Sequence, residues 1–350
     1  MTVLFLYTEL AEYFLKCCDE LSKSCNVNII RWPVNKEAPF DFTYSDQIKI
    51  YDKNKYTLAE LEKLVATINP DIIICSGWVD KDYLKITRSR FKKMPTVLTC
   101  DTRWNGSPRQ YLALILSRFF LLNTFSHAWV PGQSQYRYTR KLGFKSQNIA
   151  EGFYCCDLKK FNDVYIHNKP VKEASFPKRF LYVGRYYDFK GIEDLWTAFI
   201  QLQAEHPNEW ELWCLGTGSI APVNHPKIRH FGFVQPKDLE PILEKTGVFV
   251  LPSRFEPWGV VVQEYSAAGF PMLISEAVGA NEAFLEQGKN GFAFAAKDIN
   301  TLKNQLKKIT NLNSKELLLM SEKSHQIAQK ISPQTWAATV LNIYNGFRKK

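Results

Sequence analysis

Short apolar runs rich in Val, Ile, Phe and Tyr recur along this 350-residue chain, separated by segments long enough to be helices. That rhythm predicts parallel strands joined by crossover helices. In the first half, strands are expected at VLFLY (3–7), VNIIRW (27–32), DIIICS (71–76), TVLTC (96–100) and HAWVP (127–131), with helices over 9–24, 57–69, 80–92, 108–123 and 133–142. The stretch from Phe161 to Arg179 is polar, contains prolines and has weak periodicity, so it reads as an interdomain linker. The alternation then restarts: strands at FLYVG (180–184), WELWCLG (210–216), KIRHFG (227–232), GVFVLP (247–252) and PMLIS (271–275), helices near 191–206, 236–245, 259–268 and 279–287. Residues 298–350 read as three helices, the last entered at Ser332-Pro333, with proline at a helix start. The expected class is α/β, with two Rossmann-like, doubly wound domains (1–165 and 166–332) facing each other across a cleft, and a terminal helix over 333–350.

Composition narrows this reading. Hydrophobic residues at 45% and charged residues at 23% are ordinary globular values and exclude a disordered or coiled-coil chain. No apolar run reaches the roughly 18 residues of a spanning helix. The longest, Tyr111 to Phe125, is interrupted by Ser117 and Arg118 and is expected to be a buried crossover helix. The alternative sets its aromatics and Arg118 against a membrane or a lipid-linked acceptor. The N-terminus lacks a basic start, and Glu9 and Glu12 follow its short apolar stretch, so no signal peptide is expected. The location expected is cytoplasmic, with peripheral contact at the inner face of the membrane as the alternative. Eight cysteines are spread without metal-site spacing and read as reduced thiols. A net charge of +10 favours an anionic partner, either a phosphorylated ligand or an acidic membrane surface. The basic residues are scattered and no zinc-finger or RNP-like string occurs, so nucleic acid is not the expected partner.

Two strings carry chemistry. In SRFEPWGVVVQEYSAAGFPML, Glu256 and Glu264 are separated by seven residues, Glu256 in the loop after a strand and Glu264 inside the next helix. Pro257 and Gly259 open that helix, leaving first-turn N–H groups free for phosphate or sugar oxygens. A glutamate one to two turns further can accept two hydrogen bonds from a vicinal diol such as a ribose. In FLYVGRYYDFKGIEDL, Gly184-Arg185 ends a strand and Lys190-Gly191 starts a helix. Two cations at one strand-to-helix turn suit a diphosphate. The plain alternatives are a solvated basic loop and a chance Glu pair.

Taken together, GRYYDFKG, LGTGS (Leu215 to Ser219) and FEPWGVVVQEYSAAGFP followed by EAVGANEAFLEQGKNGFAF resemble the retaining, GT-B-fold glycosyltransferases of family 4 (glycosyl transferases group 1). That family carries GR then KG, an EX7E motif and a glycine-rich turn in this order. The likeness covers most of Phe180 to Ala296. In the first half it is one of outline, through strand rhythm and the crossover-like string NIAEGFYCCDLKKF (148–161). The loop Tyr7-Thr8-Glu9 lacks the family's glycine pair, and TCDTRWNG has no acceptor-side histidine, which leaves Asp101 as the nearest polar group.

The resemblance implies hexosyl transfer from a nucleotide-diphosphate sugar to a saccharide or lipid-linked acceptor in polysaccharide or glycoconjugate synthesis, with retention. Arg185 and Lys190 would hold the diphosphate, Glu264 the ribose, and Glu256 with the N–H groups of Trp258, Gly259 and Val260 the donor sugar. Gly184, Gly216 and Gly218 would line the donor site, and Phe233 and Val234 the base pocket. Asp101 is the acceptor-side candidate. The terminal helix would cross back onto the first domain. Two cations and a helix N-terminus can stabilise a leaving diphosphate unaided, so no metal or other cofactor is expected. Asp80-Lys81-Asp82 resembles a metal-binding DxD, but it precedes a helix in the other half and reads as an N-cap. The rival readings are a non-catalytic sugar-nucleotide or glycan-binding protein and a nucleotide-sugar epimerase.

Overall fold

The computed structural model describes residues 1–33, 44–235 and 238–349, in two compact units: Met1–Asp157 with Ile331–Lys350, and Leu158–Lys330. Among the described residues of the first unit, seven strands form one parallel sheet: β1 (Thr2–Tyr7), β2 (Asn26–Arg31), β3 (Ile48–Asp52), β4 (Ile72–Ser76), β5 (Thr96–Thr99), β6 (His127–Trp129) and β7 (Ile149–Ala150), in the order β3-β2-β1-β4-β5-β6-β7. The helices α1 (Glu12–Ser22), α2 (Leu58–Ile68), α3 (Lys81–Arg90), α4 (Pro108–Ser117) and α5 (Gln133–Lys141) lie between the strands in sequence. Sequence reasoning missed β3 and β7. The first alternates polar and apolar positions and the second is two residues long.

The second unit opens with α6 (Leu158–Ala174). It continues through β8 (Arg179–Val183), α7 (Ile192–Glu205), β9 (Glu211–Leu215), β10 (Ile228–His230), α8 (Glu240–Glu244), β11 (Val248–Leu251), α9 (Val260–Ala267), β12 (Met272–Ser275), α10 (Asn281–Phe284), β13 (Gly291–Phe294), α11 (Ile299–Thr310) and α12 (Ser314–Ala328). Its six described strands are parallel in the order β10-β9-β8-β11-β12-β13. Positions 236 and 237 of the helix expected near 236–245 lie outside the described residues.

Most of the expected linker is instead helical. Residues 158–174 form α6, with Pro170 inside it, and position 165 falls mid-helix. Its pattern is hard to read because two of its inward positions are polar: Asn168 and Lys172 are buried. The last helix, α13 (Pro333–Arg348), belongs to the first unit and packs on α1. Its Trp336 indole stacks on Phe5 at 5.9 Å, meets Phe14 edge-on at 6.0 Å and lies 4.8 Å from Trp129. Its Nε1 donates to the Phe153 carbonyl at 2.7 Å, which satisfies the one polar atom of a fully buried ring.

The run from Tyr111 to Phe125 departs from expectation. Within α4 the inward positions are polar. Gln110 Oε1 accepts from the N–H groups of Asn105 (2.8 Å) and Gly106 (3.2 Å), and Ser117 Oγ donates to the carbonyls of Leu114 (2.9 Å) and Leu142 (2.8 Å). These bonds turn the apolar side outward, so Tyr111, Leu112, Ile115, Leu116, Phe119 and Phe120 are all exposed, Phe119 to 65%. No helix among the described residues is long and apolar enough to cross a membrane. All eight cysteines are buried free thiols.

Candidate functional site

In a doubly wound sheet, ligands bind beyond the carboxyl ends of the strands where the strand order reverses. In the second unit that point lies between β8 and β11, the two strands that run into the sequence-predicted strings.

After β8 the backbone of Gly184 to Tyr186 runs beside Gly216 to Gly218. The Gly184 N–H donates to the Leu215 carbonyl (3.0 Å), and the Tyr186 N–H to that of Thr217 (2.9 Å). A side chain at Gly218 would collide with the Tyr186 carbonyl, so the approach requires glycine there. The Gly216 N–H donates to the Gly232 carbonyl at 2.7 Å, which brings the loop carrying Phe233 and Val234 alongside. Phe233 is 56% exposed and Val234 half-buried. Arg185 is exposed and forms no ion pair among the described residues, while its carbonyl accepts from the Tyr182 hydroxyl at 2.9 Å.

Lys190 ends the short helical turn after this loop, and its ammonium forms an ion pair with Glu256. Both side chains are largely buried, so the charges are screened less than a surface pair. A second pairing clamps the same two loops together. Arg254 donates from Nε and Nη2 to the two carboxylate oxygens of Asp194, at 2.9 and 2.7 Å, and also pairs with Asp188. The Asp194 bonds, followed by the charges of Asp194 and Asp188, push the Arg254 pKa further up. The backbone repeats the clamp, with the Arg254 N–H donating to the Phe189 carbonyl at 2.9 Å. Sequence reasoning missed Arg254, because its partners lie some sixty residues away and a lone Arg in a polar loop reads as solvated surface.

The loop from Glu256 to Trp258 lies against residues 277–280. The Glu256 N–H donates to the Ala277 carbonyl (3.3 Å), and the N–H groups of Gly279 and Ala280 donate to the carbonyls of Glu256 (3.0 Å) and Trp258 (2.9 Å). Gly259 then turns into α9 with φ of 95°, a left-handed conformation that disfavours any side chain. Among the described residues the N–H groups of Trp258, Gly259 and Val260 have no backbone acceptor, so the positive end of α9 presents free donors beside Glu256. Glu264 follows one turn after Val260 on α9 and is half-buried. On its buried side α9 is held by Tyr265, stacked on Phe249 at 4.3 Å.

In the first unit the corresponding point lies between β1 and β4. There Thr8 Oγ1 and Ser76 Oγ are 3.1 Å apart, two hydroxyls at strand ends that sequence reasoning did not single out. Asp101, just past β5, accepts from the Tyr154 hydroxyl at 3.2 Å. Asp80 caps α3: its Oδ1 accepts from the N–H groups of Asp82 (3.0 Å) and Tyr83 (3.1 Å), and its Oδ2 from Trp32 (2.7 Å) and Lys53 (2.6 Å). That is the N-cap arrangement expected of it.

Residues 177–311, which contain nearly all of this site, match the family described as Glycosyl transferases group 1. A glycogen synthase of Mycobacterium tuberculosis is 32% identical over 132 residues, which are 35% of this chain and 31% of that protein. The chain therefore spans about a third of the length of that curated relative. Among solved structures, the sucrose-phosphate synthase of Thermosynechococcus elongatus superposes with a TM-score of 0.73 at 16% identity over 100% of both chains. Anabaena HepE in complex with UDP and glucose superposes with a TM-score of 0.66 at 15% identity, over 99% of this chain and 100% of that one. Residues 177–311 thus match the glycosyl transferases group 1, and the chain's two parallel sheets are those of GT-B glycosyltransferase structures.

Proposed function

We propose that this protein is a retaining glycosyltransferase that moves a sugar from a nucleotide-diphosphate sugar to a saccharide or lipid-linked acceptor, without a metal. The observation that carries this reading is the Lys190–Glu256 pair beside the open N-terminus of α9, inside the segment that matches the family. In this reading Arg185 and Lys190 take the diphosphate, Glu264 takes the ribose, and Glu256 with the N–H groups of Trp258 to Val260 holds the sugar. The bond from the anomeric carbon to the phosphate oxygen breaks, and the acceptor hydroxyl oxygen bonds to the same face. Its proton passes to the departing phosphate, whose growing charge meets two cations and a helix dipole. Glu256 positions the sugar, and Asp101 is the acceptor-side candidate.

A thermal-shift series with nucleoside diphosphates and their sugar conjugates, run with Mg²⁺ and with EDTA, tests the donor site. A ligand at 100 times its dissociation constant stabilises by about 2.7 kcal/mol. The expected result is a shift with one nucleoside diphosphate that survives EDTA and is lost in Arg185→Ala. No shift with any of them overturns the assignment, and a shift without transfer by the parent protein to any saccharide or lipid-linked acceptor would favour a non-catalytic binding protein.

The acceptor side of the reading extends to a lipid surface. The exposed face of α4 borders a groove of about 420 Å³ in the first unit, lined by Trp78, Leu112, Leu116 and Phe120 together with Lys85, Arg88 and Arg109. Among the described residues no acidic side chain lines it. Apolar side chains beside cations, with no opposing carboxylate, suit the surface of an acidic bilayer.

A further inference from the structure

Lys172 lies on α6, 2% exposed, and forms no ion pair among the described residues. Its ammonium sits 3.8 Å above the Phe270 ring and 3.5 Å from the Gly269 carbonyl, a long contact for a charged donor. One turn earlier on the same helix, Asn168 is 3% exposed, and its Nδ2 has no hydrogen-bond partner among the described residues. Unmatched donors at such depth are expensive, and native interiors seldom keep them.

Both residues line one cavity of about 130 Å³, with Ser321 and Ala268 on its wall and Lys169, Lys315, Glu173 and Glu322 around it. A single water needs about 10–15 Å³ measured this way, so the space admits a larger group. Ser321 is already committed, donating to the Gly269 carbonyl. Among the described residues neither carboxylate on its lining, Glu173 or Glu322, pairs with Lys172 or Asn168, and an oxyanion in the cavity would meet the Lys172 ammonium and the Asn168 amide together.

We propose that this cavity is a binding site for a small oxyanion, a carboxylate or phosphate group, held by Lys172 Nζ and Asn168 Nδ2. It adjoins Gly269 and Phe270, just past the C-terminal end of α9, whereas the donor site is at that helix's opposite end. It does not depend on the glycosyltransferase reading. Burial lowers the Lys172 pKa from its ordinary value to about 7. The groups around it are Tyr165, Lys169, Glu173, Lys315 and Glu322. An anion binds the protonated lysine, so binding above that pKa takes up a proton and weakens about tenfold per pH unit, while binding below it does not.

The test is titration calorimetry of the full chain with sodium acetate and, separately, sodium phosphate, against chloride at matched ionic strength. Measurements about one unit below and one unit above the Lys172 pKa, in buffers of differing ionisation enthalpy, read the proton uptake. Heat with either oxyanion, uptake approaching one proton only at the higher pH, and loss of both in Lys172→Met are expected. Acetate acting alone identifies a carboxylate site and phosphate acting alone a phosphate site. Asn168→Leu supplies a second variant, expected to weaken binding at least tenfold while Lys172 is retained. No heat above chloride, or binding unchanged in either variant, overturns the proposal.

Discussion

Lys190 and Glu256, 66 residues apart in sequence, meet as an ion pair where the strand order of the second unit's sheet reverses. The pairing joins the loop after β8 to the loop after β11 and sets a cation and a carboxylate beside the open end of α9. Replacing Lys190 with Ala leaves a largely buried carboxylate without its partner. Turnover of the nucleotide sugar should fall about 10²- to 10³-fold in a donor-hydrolysis or transfer assay. Transfer at the full rate would remove Lys190 from the reaction.

Arg185 offers a contrast, because it is exposed and unpaired among the described residues. Arg185→Ala should leave the unfolding free energy within about half a kcal/mol of the parent, as surface changes do. The dissociation constant of the nucleoside diphosphate should rise about tenfold or more, through the loss of a charged hydrogen bond. Calorimetry on the two proteins decides it.

Arg254→Ala should behave in the opposite way. It strips Asp194, itself buried, of a two-bond partner and frees the two loops from each other. Denaturant unfolding should show a loss of about 2–4 kcal/mol, below the full cost of breaking a buried pair because Arg254 keeps some exposure.

Gly259→Ala tests the turn into α9. A methyl group there would lie 3.1 Å from the Glu256 Cγ, on a backbone with φ of 95°. The cost to stability should be about 1–2 kcal/mol. Donor affinity should fall with it, because the free N–H groups and Glu256 move together.

A pH prediction follows from Lys172. Its folded-state pKa, about 7, lies below its ordinary value, so between the two the unfolded chain holds more protons. Stability from this group is therefore lowest below pH 7 and rises as pH climbs through that interval. Lys172→Met should stabilise the protein most on the acid side, with the gap closing toward alkaline pH in urea titrations.

The outward face of α4 and the turn that follows it should carry binding to lipid. Ile115→Ser with Phe119→Ser should abolish sedimentation with anionic vesicles while leaving the unfolding midpoint near the parent's, since neither side chain is buried. Retained sedimentation would separate α4 from the membrane.

Strand rhythm was legible wherever a run was apolar on both faces, as in Ile72–Ser76 or Val248–Leu251. It failed for β13, which opens on a glycine, and for β3, whose alternation is half polar. The helices misread in α4 and α6 share one cause. Gln110, Ser117, Asn168 and Lys172 turn inward, whereas pattern reading assigns polar residues to the solvent side. At the candidate site, glycines and charged residues at strand ends stood out by composition. Which charges pair with which did not, because Arg254 finds Asp194 and Lys190 finds Glu256 only through the fold.

The seating of Trp336 among Phe5, Phe14 and Trp129 bears on how the chain matures as it is made. The second unit has all its residues by Lys330, whereas the first unit, begun earliest, lacks an aromatic centrepiece until α13 has been synthesised. The usual N-terminal-first order of domain completion is thereby reversed. A nascent chain stalled before Ser332 would hold a finished second unit and a first unit still awaiting its core.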